Sequence, residues 1–200
     1  MRKFNSLALL DELEQLTRKT ILQSHELSRL NPVILAEQPQ PGAWSILQII
    51  EHLNSYGRFY LPAMEKSINE SGTRFKPTFK ASLLGNFFTN LMKPDPDGRI
   101  NNKMKTPKDH RPEPVLNSRQ VLEEFYLQQQ SLLQILKRAE LTDLSKVRVP
   151  ISISRFIKLS LGDTLRFYIA HQERHFLQAE RTQERVQNIH EQRNPSIVVN

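Results

Sequence analysis

Four long stretches of this sequence repeat apolar residues at the spacing of an α-helix, and they constrain the fold more than any other feature. Residues 5–31 carry Leu9, Leu13, Leu16, Thr20, Leu27 and Leu30 on one face, with Glu, Gln and Arg between them. Asn31-Pro32 ends that run, because the residue before a proline is pushed out of the α region. A second helix opens at "WSILQIIEHLNSYGRFY", where Ser45 is an N-cap and Gln48, three residues on, completes a capping-box pattern. Its stripe is Ile46, Ile49, Leu53, Tyr56 and Tyr60; Pro62 is expected to kink or shift it before it ends near Gly72. A third helix starts at Asn117 or Ser118 and runs to about Ala139, burying Val121, Leu122, Phe125, Leu132, Leu133 and Leu136. The fourth starts at Leu161-Gly162-Asp163 and reaches about Gln192. "KVRVPISISRFIKLS" lies between these last two, broken by Pro150, and is read as an extended connector with no sheet expected. The fold class is therefore all-α: a four-helix bundle, one domain over residues 1–192, with 193–200 as a tail without an evident partner.

A chain of 200 residues can bury a substantial core unaided. It contains no cysteine, which removes disulfides, thiolate metal sites and a cysteine nucleophile at once. Any metal must be held by His, Asp or Glu, and any thiol chemistry needs a thiol from outside the chain. The basic start "MRKFNSLALL" resembles a signal peptide only briefly, since the apolar run ends at Asp11 and continues as an amphipathic helix. No apolar stretch is long enough to span a bilayer. A cytoplasmic protein with no membrane partner is expected.

The net charge of +7 is mostly local. Residues 71–117 hold nine basic residues against four acidic ones, together with half of the prolines. Within this segment "ASLLGNFFTNLM" reads as a short apolar helix, "KPDPDGR" as a turn and "NNKMKTPKDHRPEP" as an extended basic strap. So long a connection permits a crossover topology. Its lysines are either solvated loop residues or, for Lys103, Lys105 and Lys108, groups that close over a pocket and attract an anionic substrate. Nucleic acid is not the expected partner: no binding motif is present, and aromatics are not interleaved with the basic run.

"YIAHQERHFLQAER" puts His171 and His175 one turn apart on the fourth helix, roughly 40° from each other at about 100° per residue. Tyr168, Gln178 and Ala179 share that face. Glu173 is turned about 200° from His171, so the order His-Gln-Glu-Arg-His is not the H-E-x-x-H of a zinc protease. Two readings follow from spacing. The pair is either a solvated face beside Glu173 and Arg174, with His52 satisfied by a nearby carbonyl, or two ligands joined by His52 from the margin of the second helix. The second arrangement gives three neutral nitrogens and an open position, the donor set of a catalytic rather than a structural metal site. His25, His110 and His190 lack partners at ligand spacing and are read as surface residues.

"WSILQIIEHL" (residues 44–53) taken with "HQERHFLQ" (residues 171–178) resembles the DinB/YfiT-like family of bacterial four-helix-bundle metalloenzymes. That family has a Trp-Ser cap before a helix ending in His, then a distant His-x3-His followed by Gln. The resemblance implies a metal triad at His52, His171 and His175. It also implies a divalent ion, zinc or nickel foremost, and a transferase or isomerase that uses a low-molecular-weight thiol such as bacillithiol or mycothiol, or else a hydrolase. Dimers are common among such proteins, so a homodimer is a further expectation. Gln48, Tyr56, Tyr168 and Gln178 are candidates for groups that orient the ligands. The function expected is metal-dependent thiol transfer or hydrolysis of a small, possibly anionic, substrate. The alternative is a non-catalytic bundle that binds a metal or a small ligand.

Overall fold

The structure, a computed structural model, describes residues 2–94 and 105–193. The expected turn from Asp95 to Arg99, the strap residues 101–104 with Lys103, and the tail from 194 on lie outside the described residues. Six helices dominate: α1 (Ser6–Ser28), α2 (Pro32–Ala36), α3 (Ile46–Glu70), α4 (Leu83–Met92), α5 (Ser118–Ala139) and α6 (Leu161–Arg193). α3 packs against α5 and α6, and α1 packs against the same two, so α1 and α3 stand at opposite corners of the bundle. α4 lies along α6. No helix among the described residues is long and apolar enough to cross a membrane.

The caps follow the sequence closely. Asn5, Ser45, Ser82 and Asn117 each accept a backbone N–H of the first turn they precede. At α3 the box is complete: Ser45 Oγ accepts from Gln48 N–H at 3.2 Å and Gln48 Oε1 accepts from Ser45 N–H at 3.0 Å. Pro32 occupies the first turn of α2, where its missing N–H would have had no partner. α3 runs through Pro62 and ends at Glu70. Tyr60, Leu61, Met64 and Ile68 around that proline are all buried. Their burial, about 1.5–3 kcal/mol for a large apolar side chain, outweighs the roughly 3 kcal/mol that a proline costs inside a helix.

Two small antiparallel pairs correct the expectation of an extended connector without a sheet. Strand β1 (Lys3–Asn5) pairs with β2 (Thr78–Lys80), and β3 (Arg148–Ile151) pairs with β4 (Ser154–Ser160). Pro150 does not prevent the second pair, because both strands of a two-stranded ribbon are edges and an edge tolerates a residue that cannot donate. Val149 and Leu159, which face each other in the register, are buried under the bundle.

Asp163 ties the 71–117 segment to the bundle. Its carboxylate accepts from Ser82 N–H at 3.1 Å and from Ser160 Oγ–H at 2.8 Å, with Arg166 3.4 Å away. Gly85 lies so close that a Cβ there would fall 2.1 Å from Asp163 Cγ, so only glycine allows α4 to settle on α6. This contact fixes α4 beside the histidines of α6.

The capping box makes a direct prediction. Ser45→Ala should lower unfolding stability by about 1–2 kcal/mol, read from urea denaturation, with an unchanged m-value. A shift below about 0.3 kcal/mol would contradict the assignment of this cap as a determinant of α3.

Candidate metal centre

The residues that line the bundle's histidine cavity come from five places, two of which are the loop before α3, with Pro39 and Trp44, and Met92 of α4. α3 supplies His52 and Tyr56, α6 supplies His171, His175 and Gln178, and the end of the 71–117 segment supplies Lys105, Thr106 and Pro107. The cavity encloses about 620 Å³. His52 and His171 are 3% and 4% exposed, while His175 is partly accessible at the cavity side.

One candidate ligand nitrogen from each of the three histidines lies within 4.8 Å of the others. His52 Nε2 and His171 Nε2 are 3.3 Å apart. Two nitrogens bound about 2.0–2.1 Å from one tetrahedral ion stand about 3.3 Å apart, so the spacing of this pair already suits a shared ion. The remaining ring nitrogens are oriented from outside. His52 Nδ1–H donates to the carbonyl of His110 at 2.8 Å, which leaves Nε2 as a bare lone pair. His175 Nδ1 lies 2.9 Å from Gln178 Oε1 and donates to it, leaving its Nε2 likewise bare. His171 differs, since its Nδ1 is buried with no hydrogen-bond partner.

Burial keeps the three rings neutral. It pushes His52 down to about 4 and His175 down to about 3, and holds His171 well below the ordinary histidine value. The neighbouring histidines act in the same direction on His171 and His175, because each would repel a second imidazolium. Neutral imidazole is the form that binds a metal. Around the rings stand aromatic walls: Trp44 is 5.0 Å from the His52 ring, and Tyr56 is 4.5 Å from the His171 ring. The Tyr56 hydroxyl is pushed up to about 12 by burial and stays a neutral donor.

The other expected site residues fall in different places. Gln48 is occupied by the cap of α3, and its Nε2 also reaches the Glu113 carbonyl at 3.4 Å, so it tethers the strap. Tyr168 is buried in the core with its ring 5.8 Å from that of Tyr60, away from the cavity lining. Lys105 lines the cavity; Lys108 is exposed in a single 3₁₀ turn, Lys108–His110. Lys103 lies outside the described residues.

His110 corrects the reading of it as a surface residue. His110 is 8% exposed, stacks on Tyr56 at 3.9 Å and lies with Nδ1 3.0 Å from Ser55 Oγ. Ser55 spends its only proton on the His52 carbonyl at 2.7 Å, so His110 Nδ1–H is the donor to Ser55. His190 is part-buried and pairs with Glu37. His25 is exposed, as the sequence suggests. Arg174, read with Glu173 as part of a solvated face, is instead 7% exposed and lines the cavity. Trp44 and the His110 carbonyl are the parts that sequence reasoning missed. The first was visible only as a motif residue, and a carbonyl has no signature in any sequence.

A model of the DinB superfamily matches residues 9–179, and the chain belongs to that superfamily. No curated protein and no solved structure gives a match.

Acid should find these rings. In metal-free protein, His52 and His175 titrate at about 4 and about 3 in the fold, against about 6.5 when unfolded. Below 6.5 the unfolded chain binds more protons than the folded one, so stability rises with pH across that window and falls on acidification. Denaturant melts between pH 7 and 5 should show a loss of up to about 1.4 kcal/mol per pH unit for each such histidine. His52→Gln/His175→Gln should flatten the dependence, and a flat wild-type profile would contradict the buried neutral rings.

Proposed function

We propose that the chain is a metal-dependent enzyme in which His52, His171 and His175 hold a divalent ion, zinc or nickel foremost. The reaction is transfer of a low-molecular-weight thiol to an electrophile, or hydrolysis, on a small substrate. The observation that carries this reading is the pair of Nε2 atoms 3.3 Å apart in neutral, buried rings, with the Nδ1 atoms of His52 and His175 tied to outside acceptors. A divalent ion bound there would lower the pKa of a water or a substrate thiol and so supply the nucleophile that a chain without cysteine lacks.

The chain's own residues have separable duties in this proposal. The His110 carbonyl and Gln178 hold two imidazoles in the tautomer that offers Nε2, which raises their basicity as ligands. Trp44 and Tyr56 restrict water beside the rings. The Tyr56 phenol, kept neutral by burial, can donate a hydrogen bond to a substrate oxygen. Lys105, from the strap, lines the same cavity. A homodimer, by the same resemblance that suggests the thiol, and a cytoplasmic location complete the proposal.

A second reading, a bundle that binds a metal or small ligand without turnover, draws on His171. Its buried Nδ1 lacks the partner that metal-ligating histidines ordinarily have. Activity separates the two. Zinc- or nickel-loaded protein should conjugate bacillithiol, mycothiol or cysteine to monochlorobimane, or hydrolyse activated esters. His52→Ala/His171→Ala should lower that rate by about 100-fold or more. Metal-loaded protein that does neither, across both metals, contradicts the enzyme reading in favour of the binding one.

A further inference from the structure

We infer that an apolar chamber beside the histidine cavity is the pocket for the uncharged, phenyl-sized end of the substrate, whose reactive end lies at the three rings. The inference deepens the proposed function. It rests on that reading for the chemistry at the histidines, while the chamber's occupancy by an apolar group stands without it.

The chamber, about 210 Å³, is bounded by Tyr60 of α3, Phe88 and Leu91 of α4, Ile151 and Ile153 of the β3–β4 hairpin, and Phe167 of α6. Native interiors leave few voids larger than a water molecule, and an apolar cavity of about 150 Å³ stays dry and takes up benzene. A space of this size with these walls is therefore a pocket for a small ring rather than loose packing. It stays below the roughly 300 Å³ at which pockets for drug-sized ligands begin. Two of its walls are anchored by hydrogen bonds. Asp163 of α6 accepts from Ser82 N–H at 3.1 Å and seats the start of α4; Tyr60 Oη accepts from Ser152 N–H at 3.2 Å and seats the hairpin turn. Among the described residues, the one charged side chain that lines the chamber is Lys105, which is exposed. A charge held among the remaining walls would lose its hydration without gaining a partner, so the occupant is uncharged.

The chamber lies within reach of the histidines. Tyr56, Met92, Lys105 and Pro107 line both spaces. Tyr56 follows His52 by four residues on α3, and Phe167 precedes His171 by four on α6. Each pair is therefore about one helical turn apart, roughly 6 Å along the axis. The rings meet accordingly: Tyr56 lies 4.5 Å from His171, and Phe167 stacks on His171 at 6.1 Å. A short alkyl link spans one turn, so a single small molecule can place a ring in the chamber and its reacting atom at the nitrogens. The substrate class is an arylalkyl compound.

The test is a titration followed by amide NMR signals, on zinc-loaded and metal-free protein. Three probes separate the parts: 3-phenylpropan-1-ol carries the ring, acetohydroxamate carries a metal-binding head, and 3-phenylpropanohydroxamate joins the two. The ring probe should bind both forms of the protein and shift the amides of Leu91, Ile153 and Phe167. In zinc-loaded protein the joined probe should bind about tenfold or more tighter than either part, as burial of a ring implies. Leu91→Trp, which fills the chamber, should remove that advantage and leave acetohydroxamate unaffected. Leu91→Ala, which widens the same wall, should bind 3-(1-naphthyl)propan-1-ol more tightly than wild type does, and it keeps the test decisive where the tryptophan variant fails to fold. A ring probe that binds neither form, or a joined probe no tighter than acetohydroxamate, overturns the chamber as a substrate pocket; zinc-dependent binding of acetohydroxamate then still upholds the metal reading. Protein that takes up no zinc but binds the ring probe at these amides supports the pocket and contradicts the metal reading, so the two failures are distinct.

Discussion

One hydrogen bond, from His52 Nδ1–H to the carbonyl of His110 at 2.8 Å, joins the bundle to the segment that covers it. It sets the tautomer of His52, so that Nε2 faces the other two histidines. It also anchors the 3₁₀ turn of the strap, whose His110 ring stacks on Tyr56 and donates to Ser55. The Gln48–Glu113 and Ser55–His110 contacts hold the same strap, whereas this bond alone decides which nitrogen His52 presents. The same bond thus links the fold of a long connection to the chemistry of a ring.

The cavity around that bond combines two environments that oppose each other. Burial and aromatic walls disfavour any charge on the histidines, holding all three neutral. The lining of α6 nevertheless brings Arg174, itself buried, close to the same rings. A guanidinium retains its charge under burial that neutralises an imidazole, because its ordinary pKa is some six units higher. The result is a site with lone pairs at its centre and positive charge at its edge. That pattern suits a cation held by the rings and an anionic group held beside it.

The helices were legible in the sequence because their signals are local. Ser45 with Gln48, Asn117 before α5 and the stripe Ile46, Ile49, Leu53, Tyr56 and Tyr60 each act within a few residues, and the structure shows the cap and the burial they imply. The hairpin was hidden by Pro150, which reads as a breaker until its partner strand is known. His52, His171 and His175 could be named as candidates from helix margin and spacing, and the structure brings their nitrogens together. His110 could not, since its burial depends on where the strap lands, 58 residues after His52 in the chain. Arg174 misled for a related reason: on a polar-looking helix face it reads as solvated, whereas α6 is enclosed on more sides than its own periodicity reveals.

Metal content decides whether the three neutral imidazoles hold one ion between them. Protein purified without a metal-affinity tag and measured by plasma mass spectrometry should carry about one divalent ion per chain, as expected of a single tetrahedral site. His52→Ala/His171→Ala should carry essentially none while keeping its helical spectrum. Wild-type protein that holds no ion, even after dialysis against zinc, nickel and manganese salts, would contradict the account and leave the histidines as a buried polar cluster of the bundle.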